Sequence, residues 1–413
     1  MRVLVLLIAG LCGIASPVAA EVNWPQFRGP GGDGISAETG LSLAWSESEH
    51  VAWKTAIHDR GWSSPVIWDR QIWMTTATVD GKRLFAVCID RVSGRVVHDI
   101  LVFEIAEPQF CHALNSYASP TPVVEEGRVY VHFGSAGTAC LDTESGQILW
   151  TRQDLPCNHW RGAGSSPILF GDLLVVAYDG YDLQYVVALD KSTGKTVWRR
   201  DRNIDYGHDD GDQKKAYCTA TVIRIDGKPQ LVYPSAGATI AYEPETGDEL
   251  WRVQHGGMNA ASRPLFGNGR LYLNSADGGF KLFALRTGGT GDVTQTHVEW
   301  KCKDGVPSRS SQLLVGNQIF MVSDRGVTTS LNAETGKPLW QSRLGGDFSA
   351  SPICADGRVY FPNQDGRTFV VEAGPEFKLL ATNTLDDGCM ASPAVYGKSL
   401  FLRTETHLYR IED

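Results

Sequence analysis

Three segments of the sequence carry polar side chains that could bind a ligand or a partner protein. They are residues 104–117, 158–161 and 203–217. Imidazole, amide, guanidinium and carboxylate groups on long loops are typical of binding surfaces. The candidate residues are His112, Asn115, Tyr117, His159, Trp160, Arg161, His208, Asp209, Asp210, Arg263 and Arg309. Two interpretations stay open: a face that binds a polar ligand or a protein, or solvated loops around a channel mouth.

The segment 205–212, DYGHDDGD, concentrates carboxylates, which are the ligands that calcium prefers. Gly207 stands where an EF-hand loop needs an oxygen ligand at its third position, and no glutamate closes the loop. We therefore interpret the segment as an acidic surface turn and predict no metal site.

Three of the nine cysteines, Cys88, Cys140 and Cys354, occupy positions that equivalent segments fill with alanine, serine or aliphatic residues. A cysteine in such a place acts as a small apolar side chain. All three are predicted to be core residues.

Four further cysteines precede apolar strand segments and should gather at one face: Cys111, Cys157, Cys218 and Cys389. Structural thiols are the favoured interpretation. A disulfide between Cys111 and Cys157 is the second, and a metal site that includes His112 and His159 is the third, although the spacing matches no standard zinc pattern.

Two segments imitate catalytic motifs without completing them. Gly194-Lys195-Thr196 resembles the end of a phosphate-binding loop, but Leu189 replaces the first glycine of that motif. No Gly-x-Ser-x-Gly or His-Glu-x-x-His pattern occurs. No catalytic residue is predicted.

The elements that must position these side chains repeat along the chain. Each unit has a small or Ser-Pro entry, an apolar strand, a short turn, and further strands, at intervals of 40 to 57 residues. The entries fall at Pro65, Pro122, Pro167, Thr221, Pro264, Gln312, Pro352 and Pro393. Helical periodicity is absent. The sequence predicts an all-β, eight-bladed propeller of four-stranded antiparallel blades.

Five units contain a turn of the type Asp-x-x-Thr-Gly, at residues 90–94, 142–146, 190–194, 243–247 and 332–336, and in four of them a tryptophan follows the glycine by four residues. Short polar side chains bond the turn backbone, and the glycine supplies the positive φ. The recurring tryptophans are Trp150, Trp198, Trp251, Trp300 and Trp340, with His98 in the first unit. We predict that each ring packs against the neighbouring blade.

The last unit lacks an outer strand. Residues 51–55, VAWKT, read as that strand, with Trp53 in the docking position. Pairing the two chain ends would close the ring and remove its open sheet edges.

The first twenty residues read as a secretory signal peptide with cleavage after Ala20, which predicts a periplasmic or secreted protein. Residues 21–44 are predicted to be an extension and residues 45–413 the propeller domain. Cleavage would leave 37 basic and 47 acidic side chains, a net charge of −10. That balance disfavours nucleic acid as a partner. No later segment has the roughly 20 apolar residues of a membrane span, and a monomer is expected.

Residues 141–150, LDTESGQILW, and 189–198, LDKSTGKTVW, closely resemble the PQQ-like propeller repeat. That family includes pyrroloquinoline-quinone (PQQ) alcohol dehydrogenases and the BamB subunit of the outer-membrane β-barrel assembly machinery. The resemblance covers nearly all of residues 45–413. Residues 24–30, WPQFRGP, and 61–65, GWSSP, look like a secreted bacterial subgroup of it.

The resemblance implies two functions. The preferred one is an exported, non-catalytic scaffold that binds a protein or polar ligand through its long loops, in the manner of BamB and without a cofactor. The alternative is a PQQ-dependent oxidoreductase with PQQ and calcium in the channel. Those dehydrogenases carry a disulfide between adjacent cysteines, and this sequence has no Cys-Cys pair.

Overall fold

The computed structural model describes residues 22–413, which form eight sheets arranged as a propeller. The predicted all-β class and the number of blades are confirmed. Within this part of the chain the only helix is the short 3-10 turn Gly211–Lys214. The predicted signal peptide, residues 1–20, lies outside the described residues.

In blades 1 to 7 the strands follow chain order from the propeller axis outwards, and blade 8 takes its outermost strand from the N-terminal segment. Blade 1 contains Val66–Trp68, Gln71–Ala77, Arg83–Asp90 and Val96–Glu104; blade 2 contains Val123–Glu125, Arg128–His132, Thr138–Asp142 and Ile148–Arg152; blade 3 contains Ile168–Phe170, Leu173–Asp179, Gln184–Asp190 and Thr196–Asp201; blade 4 contains Thr221–Ile225, Lys228–Pro234, Ala238–Tyr242 and Glu249–Gln254.

The second half of the chain repeats this plan. Blade 5 contains Leu265–Gly267, Arg270–Asn274, Leu282–Arg286 and Val298–Cys302; blade 6 contains Leu313–Val315, Gln318–Val322, Val327–Asn332 and Pro338–Arg343; blade 7 contains Ile353–Ala355, Arg358–Pro362, Arg367–Glu372 and Leu379–Thr384; blade 8 contains Ala394–Tyr396, Ser399–Arg403, His407–Ile411 and, outermost, Val51–Ala56. A two-residue strand, Gly291–Asp292, adds to the outer edge of blade 4 in parallel.

The core lies between blades. Middle strands are buried on both faces, as in Gln71–Ala77 and Arg83–Asp90, so their sequences are almost continuously apolar. Outer strands alternate between partly buried and exposed residues, as in Val51–Ala56. Six of the seams are separate apolar clusters shared by two adjacent sheets, and one larger cluster extends through blades 7, 8 and 1. A single blade therefore depends on its neighbours to bury its faces.

The two chain ends pair as predicted. Strand Val51–Ala56 runs antiparallel to His407–Ile411, with Trp53 opposite Arg410 and Lys54 opposite Tyr409. The N-terminal strand therefore completes blade 8 and closes the ring without an unpaired edge at the seam.

Five of the predicted docking tryptophans bridge to the next blade. Their indole N–H groups donate to backbone carbonyl groups of the following blade at 3.0–3.1 Å. The pairs are Trp53 with Arg91, Trp150 with Lys191, Trp198 with Pro244, Trp300 with Ala333 and Trp340 with Gly374. In these blades the indole thus links its own sheet to the next one.

Trp251 differs, because its indole donates to Gln230 Oε1 of its own blade at 2.9 Å. The added strand Gly291–Asp292 pairs beside it in register with Trp251. The long insertion before Trp300 therefore changes the contacts of the tryptophan at the seam between blades 4 and 5.

The glycine of each turn has a second role beside its positive φ. A Cβ added to Gly194, whose φ is +71°, would lie 2.6 Å from the Trp150 ring. The same holds for Gly94 beneath Trp53, at 2.7 Å. Only glycine lets the ring of the preceding blade lie on the turn.

A ring of hydroxyl groups joins the blades around the axis. The backbone N–H just before a first strand donates to a Ser or Thr hydroxyl of the next blade at 2.9–3.0 Å. The links run from Ser64 to Thr121, Thr121 to Ser166, Ser166 to Thr219, Arg263 to Ser311, Ser311 to Ser351, Ser351 to Ser392 and Ser392 to Ser64. The recurring Ser-Pro entry is therefore an inter-blade contact.

Residues 22–50 close one end of the axial channel. Trp24 exchanges two backbone hydrogen bonds with Ile67 of blade 1, at 3.0 and 2.7 Å. The chain then crosses the axis to blade 7, where Ile35 bridges to Cys354 in parallel. Asn23 Oδ1 accepts from the N–H of Asp69, in a turn on the face opposite the long connections. We call residues 24–36 the plug.

Candidate functional site

An axial cavity of about 480 Å³ opens on the face that carries the long connections, here called the loop-rich face. Phe27 of the plug lines it opposite the mouth, and hydroxyl groups of the inter-blade ring line its walls. The volume lies within the range of small-molecule sites. Because the plug fills the other end, the cavity is a blind pocket.

Arg161 and Arg309 contribute positive charge to the cavity wall. Arg161 Nη2 lies 2.9 Å from Asp212 Oδ2, and the same carboxylate pairs with Lys215. Burial lowers the pKa of Lys215, and the contact with Asp212 opposes that shift. Arg309 Nε lies 3.7 Å from Asp324 Oδ1. The wall thus presents arginines that carboxylates partly neutralise.

A second carboxylate at the cavity, Asp277, is held by protein donors. Ser308 Oγ donates to Asp277 Oδ1 at 2.8 Å, and Asn259 Nδ2 donates to Oδ2 at 3.1 Å. The backbone N–H of Ser308 also donates to Asp324 Oδ1 at 3.2 Å. The sequence reading did not identify either aspartate, because no motif marks them and they lie on separate blades.

The structure places Arg263 beneath the cavity, buried, rather than on an open surface. Its guanidinium donates to the carbonyl of Phe27 at 2.5 Å, to Gln26 Oε1 at 3.0 Å and to Ala220 O at 2.9 Å. Burial lowers its pKa to about 10, with Asp33 opposing the shift. Arg263 therefore holds the plug in the channel.

His159 is also buried, in the seam between blades 2 and 3. Its Nε2 accepts from the backbone N–H of Ser135 at 3.0 Å. Burial lowers its pKa to about 4 and that of the nearby His132 to about 3. Both imidazoles are neutral at pH 7, so His159 supports the loop and does not offer a charge to a ligand.

Three predicted face residues hold the connection 104–117 in place, and one of them, Asn115, also links it to the connection that contains Arg161. Asn115 Nδ2 donates to Arg161 O at 2.9 Å, and Tyr117 donates its hydroxyl to Gln109 O at 2.7 Å. His112 Nδ1 accepts from the N–H of Leu114 at 3.1 Å. Of these three, His112 and Asn115 line the axial cavity.

Trp160 projects from the loop-rich face together with two residues that the sequence reading missed. Its ring centroid lies 5.8 Å from that of Phe110 and 5.8 Å from that of Tyr181. All three side chains are exposed. Only their position on loops could have marked Phe110 and Tyr181, since in a β protein most aromatic residues are core.

The acidic segment 205–212 lies beside this aromatic row, because Gly211 packs against Tyr181. Asp210 caps the 3-10 turn by accepting from the N–H of Asp212, and a hydrogen bond from Gln213 lowers its pKa. His208 and Asp209 are exposed. Across residues 22–413 no three His, Cys, Asp or Glu side chains form a group that could hold a metal ion.

The eight cysteines within the described residues are free thiols, and the alternative disulfide between Cys111 and Cys157 is not formed. Cys111 Sγ lies 3.8 Å from Arg161 O, and Cys157 Sγ 3.8 Å from Leu183 O. Burial raises the pKa of Cys111 to about 11, which favours an unreactive thiol. Cys88, Cys140 and Cys354 are buried, as predicted.

Comparison with known proteins adds one family and several relatives. A family model described as "Outer membrane protein assembly factor BamB" (PQQ_2) matches residues 45–201 and 182–412. The protein of that name from Yersinia pestis is 24% identical over 319 residues, which span 73% of this chain and 76% of the relative.

Solved structures share the fold. BamB from Moraxella catarrhalis superposes with a TM-score of 0.61 at 13% identity, covering 87% of this chain and 99% of that one. A europium-containing methanol dehydrogenase superposes with a TM-score of 0.66 at 12% identity, covering 92% and 89%. No helix within residues 22–413 has the length and apolarity needed to cross a membrane. With the family model matching both halves of the propeller, this chain belongs to the BamB (PQQ_2) family of PQQ-like repeat propellers.

Proposed function

We propose that this protein is an exported scaffold that binds a partner protein through its loop-rich face, in the manner that the name of its family suggests. The observation that carries the proposal is the exposure of Phe110, Trp160 and Tyr181 on loops that hydrogen bonds brace from behind. Exposed aromatic side chains in a rigid setting lose little entropy on binding and are enriched at protein interfaces.

Export is part of the same proposal. The apolar run of residues 3–15 and the small residues before Glu21 support a signal peptide, and relatives named outer membrane protein assembly factors support an envelope location. Cell fractionation with amino-terminal sequencing of the mature chain tests it. A mature chain that begins at Glu21 in the periplasmic fraction is expected, and a chain that retains Met1 in the cytoplasm would refute export.

A PQQ-dependent oxidoreductase is the second candidate, favoured by the axial cavity alone. The residues present do not fit a calcium-bound quinone. Asp277 and Asp324 lie on the cavity, but protein groups already donate to both carboxylates. No third acidic or imidazole ligand joins them within the described chain. We therefore prefer the scaffold.

Site-specific photocrosslinking tests the scaffold directly. A photoreactive amino acid replaces Leu114 on the loop-rich face or, as a matched control, Phe266 on the opposite face; both native side chains are exposed and apolar. In envelope extracts, a discrete crosslinked product from position 114 and none from position 266 is expected. Equal products from both positions, or none from 114, would overturn the proposal. PQQ with calcium, titrated in parallel, should leave the melting temperature unchanged.

A further inference from the structure

The aromatic row on the loop-rich face is an exposed feature that the fold does not use. The exposed fractions of Phe110, Trp160 and Tyr181 are 57%, 43% and 41%. Their successive ring centroids are 5.8 Å apart, and the rings are tilted by 55° and 48°. Three different connections supply them, so only the assembled propeller brings them together. We call this set the aromatic ridge.

The ridge is held rigidly before any partner binds. Trp160 has φ +59°, a left-handed conformation that costs free energy in a residue with a side chain. Asn158 stabilises it, because its side chain accepts from the N–H of Trp160 at 3.0 Å and its carbonyl accepts from the N–H of Tyr181 at 2.7 Å. A strained backbone that presents an aromatic ring to water indicates a binding role.

The charge beside the ridge is negative. Asp209 and Asp210 are exposed on the segment that packs against Tyr181, and Asp182 lies next to Tyr181 in the chain. Arg161 and Lys215 are already paired, because both contact Asp212, and the Lys214 ammonium lies over the Tyr206 ring. The whole chain carries a net charge of −9. A partner with basic side chains matches this field, whereas an acidic polymer would be repelled.

We propose that the aromatic ridge and the adjacent acidic segment bind a cationic polypeptide segment. Arginine side chains of that segment stack on the Trp160 ring and pair with Asp209 and Asp210, while its apolar residues contact Phe110 and Tyr181. A guanidinium binds well to an indole face and to a carboxylate at the same time. This inference deepens the proposed function and rests on it, since it assigns a chemistry to the partner of the loop-rich face.

The test uses a fluorescein-labelled twelve-residue peptide of alternating Arg and Pro, with Glu-Pro and Ser-Pro peptides of equal length for comparison. Fluorescence anisotropy with the purified protein is measured at 50 and 300 mM NaCl. We expect the Arg-Pro peptide alone to bind, more weakly at high salt. Trp160→Ala should weaken binding by about tenfold, which corresponds to one cation–π contact.

The acidic contribution has its own matched control. The double variant Asp209→Asn, Asp210→Asn should weaken binding of the Arg-Pro peptide severalfold and make that binding less dependent on salt concentration. Glu126→Gln with Glu144→Gln removes two exposed carboxylates from turns on the opposite face and should change nothing. Melting temperatures of all variants show whether the propeller stays folded.

Three results would overturn the inference. They are no binding of the Arg-Pro peptide, equal binding of the Ser-Pro peptide, or displacement by a neutral hexasaccharide as effective as by unlabelled Arg-Pro peptide. The last would assign the ridge to carbohydrate. If the crosslink from position 114 persists but the Arg-Pro peptide does not bind, the inference of a cationic partner is refuted and the proposed scaffold function is retained.

Discussion

The closing seam of the propeller should be its weakest point, and Trp53→Ala tests this. Trp53 is partly buried, its ring centroid lies 6.0 Å from that of Phe401, and its indole N–H donates to Arg91 O at 3.1 Å. Removing a buried tryptophan costs about 3–5 kcal/mol, so a partly buried ring accounts for about 2 kcal/mol. The lost hydrogen bond adds about 1 kcal/mol. The expected loss is about 3 kcal/mol.

Trp340 provides a matched control at an internal seam. Its ring centroid lies 5.9 Å from that of Phe320 and 5.3 Å from that of Phe377, and its indole N–H donates to Gly374 O at 3.1 Å. The hydrogen bond and the first ring contact match those of Trp53, and the contact with Phe377 is additional. Trp340→Ala should cost a similar free energy of unfolding. However, the strands of blade 6 form one continuous chain segment, whereas in blade 8 only non-covalent contacts hold Val51–Ala56 to His407–Ile411.

Urea unfolding and amide hydrogen exchange distinguish the two variants. Both should show a similar loss of global stability, but only Trp53→Ala should also expose the amides of His407–Ile411 through local opening. About 3 kcal/mol corresponds to a roughly hundredfold faster exchange there. Unchanged protection of His407–Ile411 in Trp53→Ala would refute the idea that closure is locally weak.

Three further predictions concern buried titratable side chains. Asp179→Ala leaves the buried Arg202 guanidinium without the carboxylate 2.6 Å away and should cost about 3–5 kcal/mol in urea unfolding, whereas an unchanged midpoint would contradict the pairing. The pKa of His159 in the folded protein is about 4, below its ordinary value of 6.5. Its contribution to the free energy of unfolding should therefore be fully present above pH 6.5 and be lost towards pH 4, by up to about 1.4 kcal/mol per pH unit. In His159→Gln the free energy of unfolding should fall less steeply over this range. Arg263→Ala removes two bonds to the plug and should speed amide exchange in residues 24–36 while Val51–Ala56 stays protected, and unchanged exchange there would contradict the tether.

Much of the fold follows from short stretches of sequence. Turn glycines such as Gly194 and the tryptophan four residues later recur because each blade meets the same local requirements, a positive φ and a large ring over the seam. Closure by Val51–Ala56 was predictable as well, because the last unit lacked its outer strand and residues 51–55 formed a strand that belonged to no other unit. Trp251 departs from the pattern because Gly291–Asp292, a distant insertion, covers its strand edge.

The candidate site was only partly predictable. Loop length indicated the connections that form the loop-rich face, and Trp160 does project from them. The sequence could not show that His159 and Arg263 point inwards, because burial depends on packing between blades. It also could not show that Phe110 and Tyr181 are exposed, since an aromatic residue in a β protein is normally core.

The sequence by itself determined the repeat, the strand and turn chemistry, the number of blades and the pairing of the chain ends. The first three depend on side-chain alternation and turn conformation within about fifty residues, and the pairing of the ends follows from the outer strand that the last unit lacks. Only the tertiary structure decided the hydroxyl ring, the plug across the channel and the aromatic ridge. Each of these joins residues that are far apart in the chain, as when Arg28 of the plug donates to the carbonyl of Gln312 at 2.6 Å. Local sequence carries no record of such contacts, because they arise only when the sheets close around a common axis.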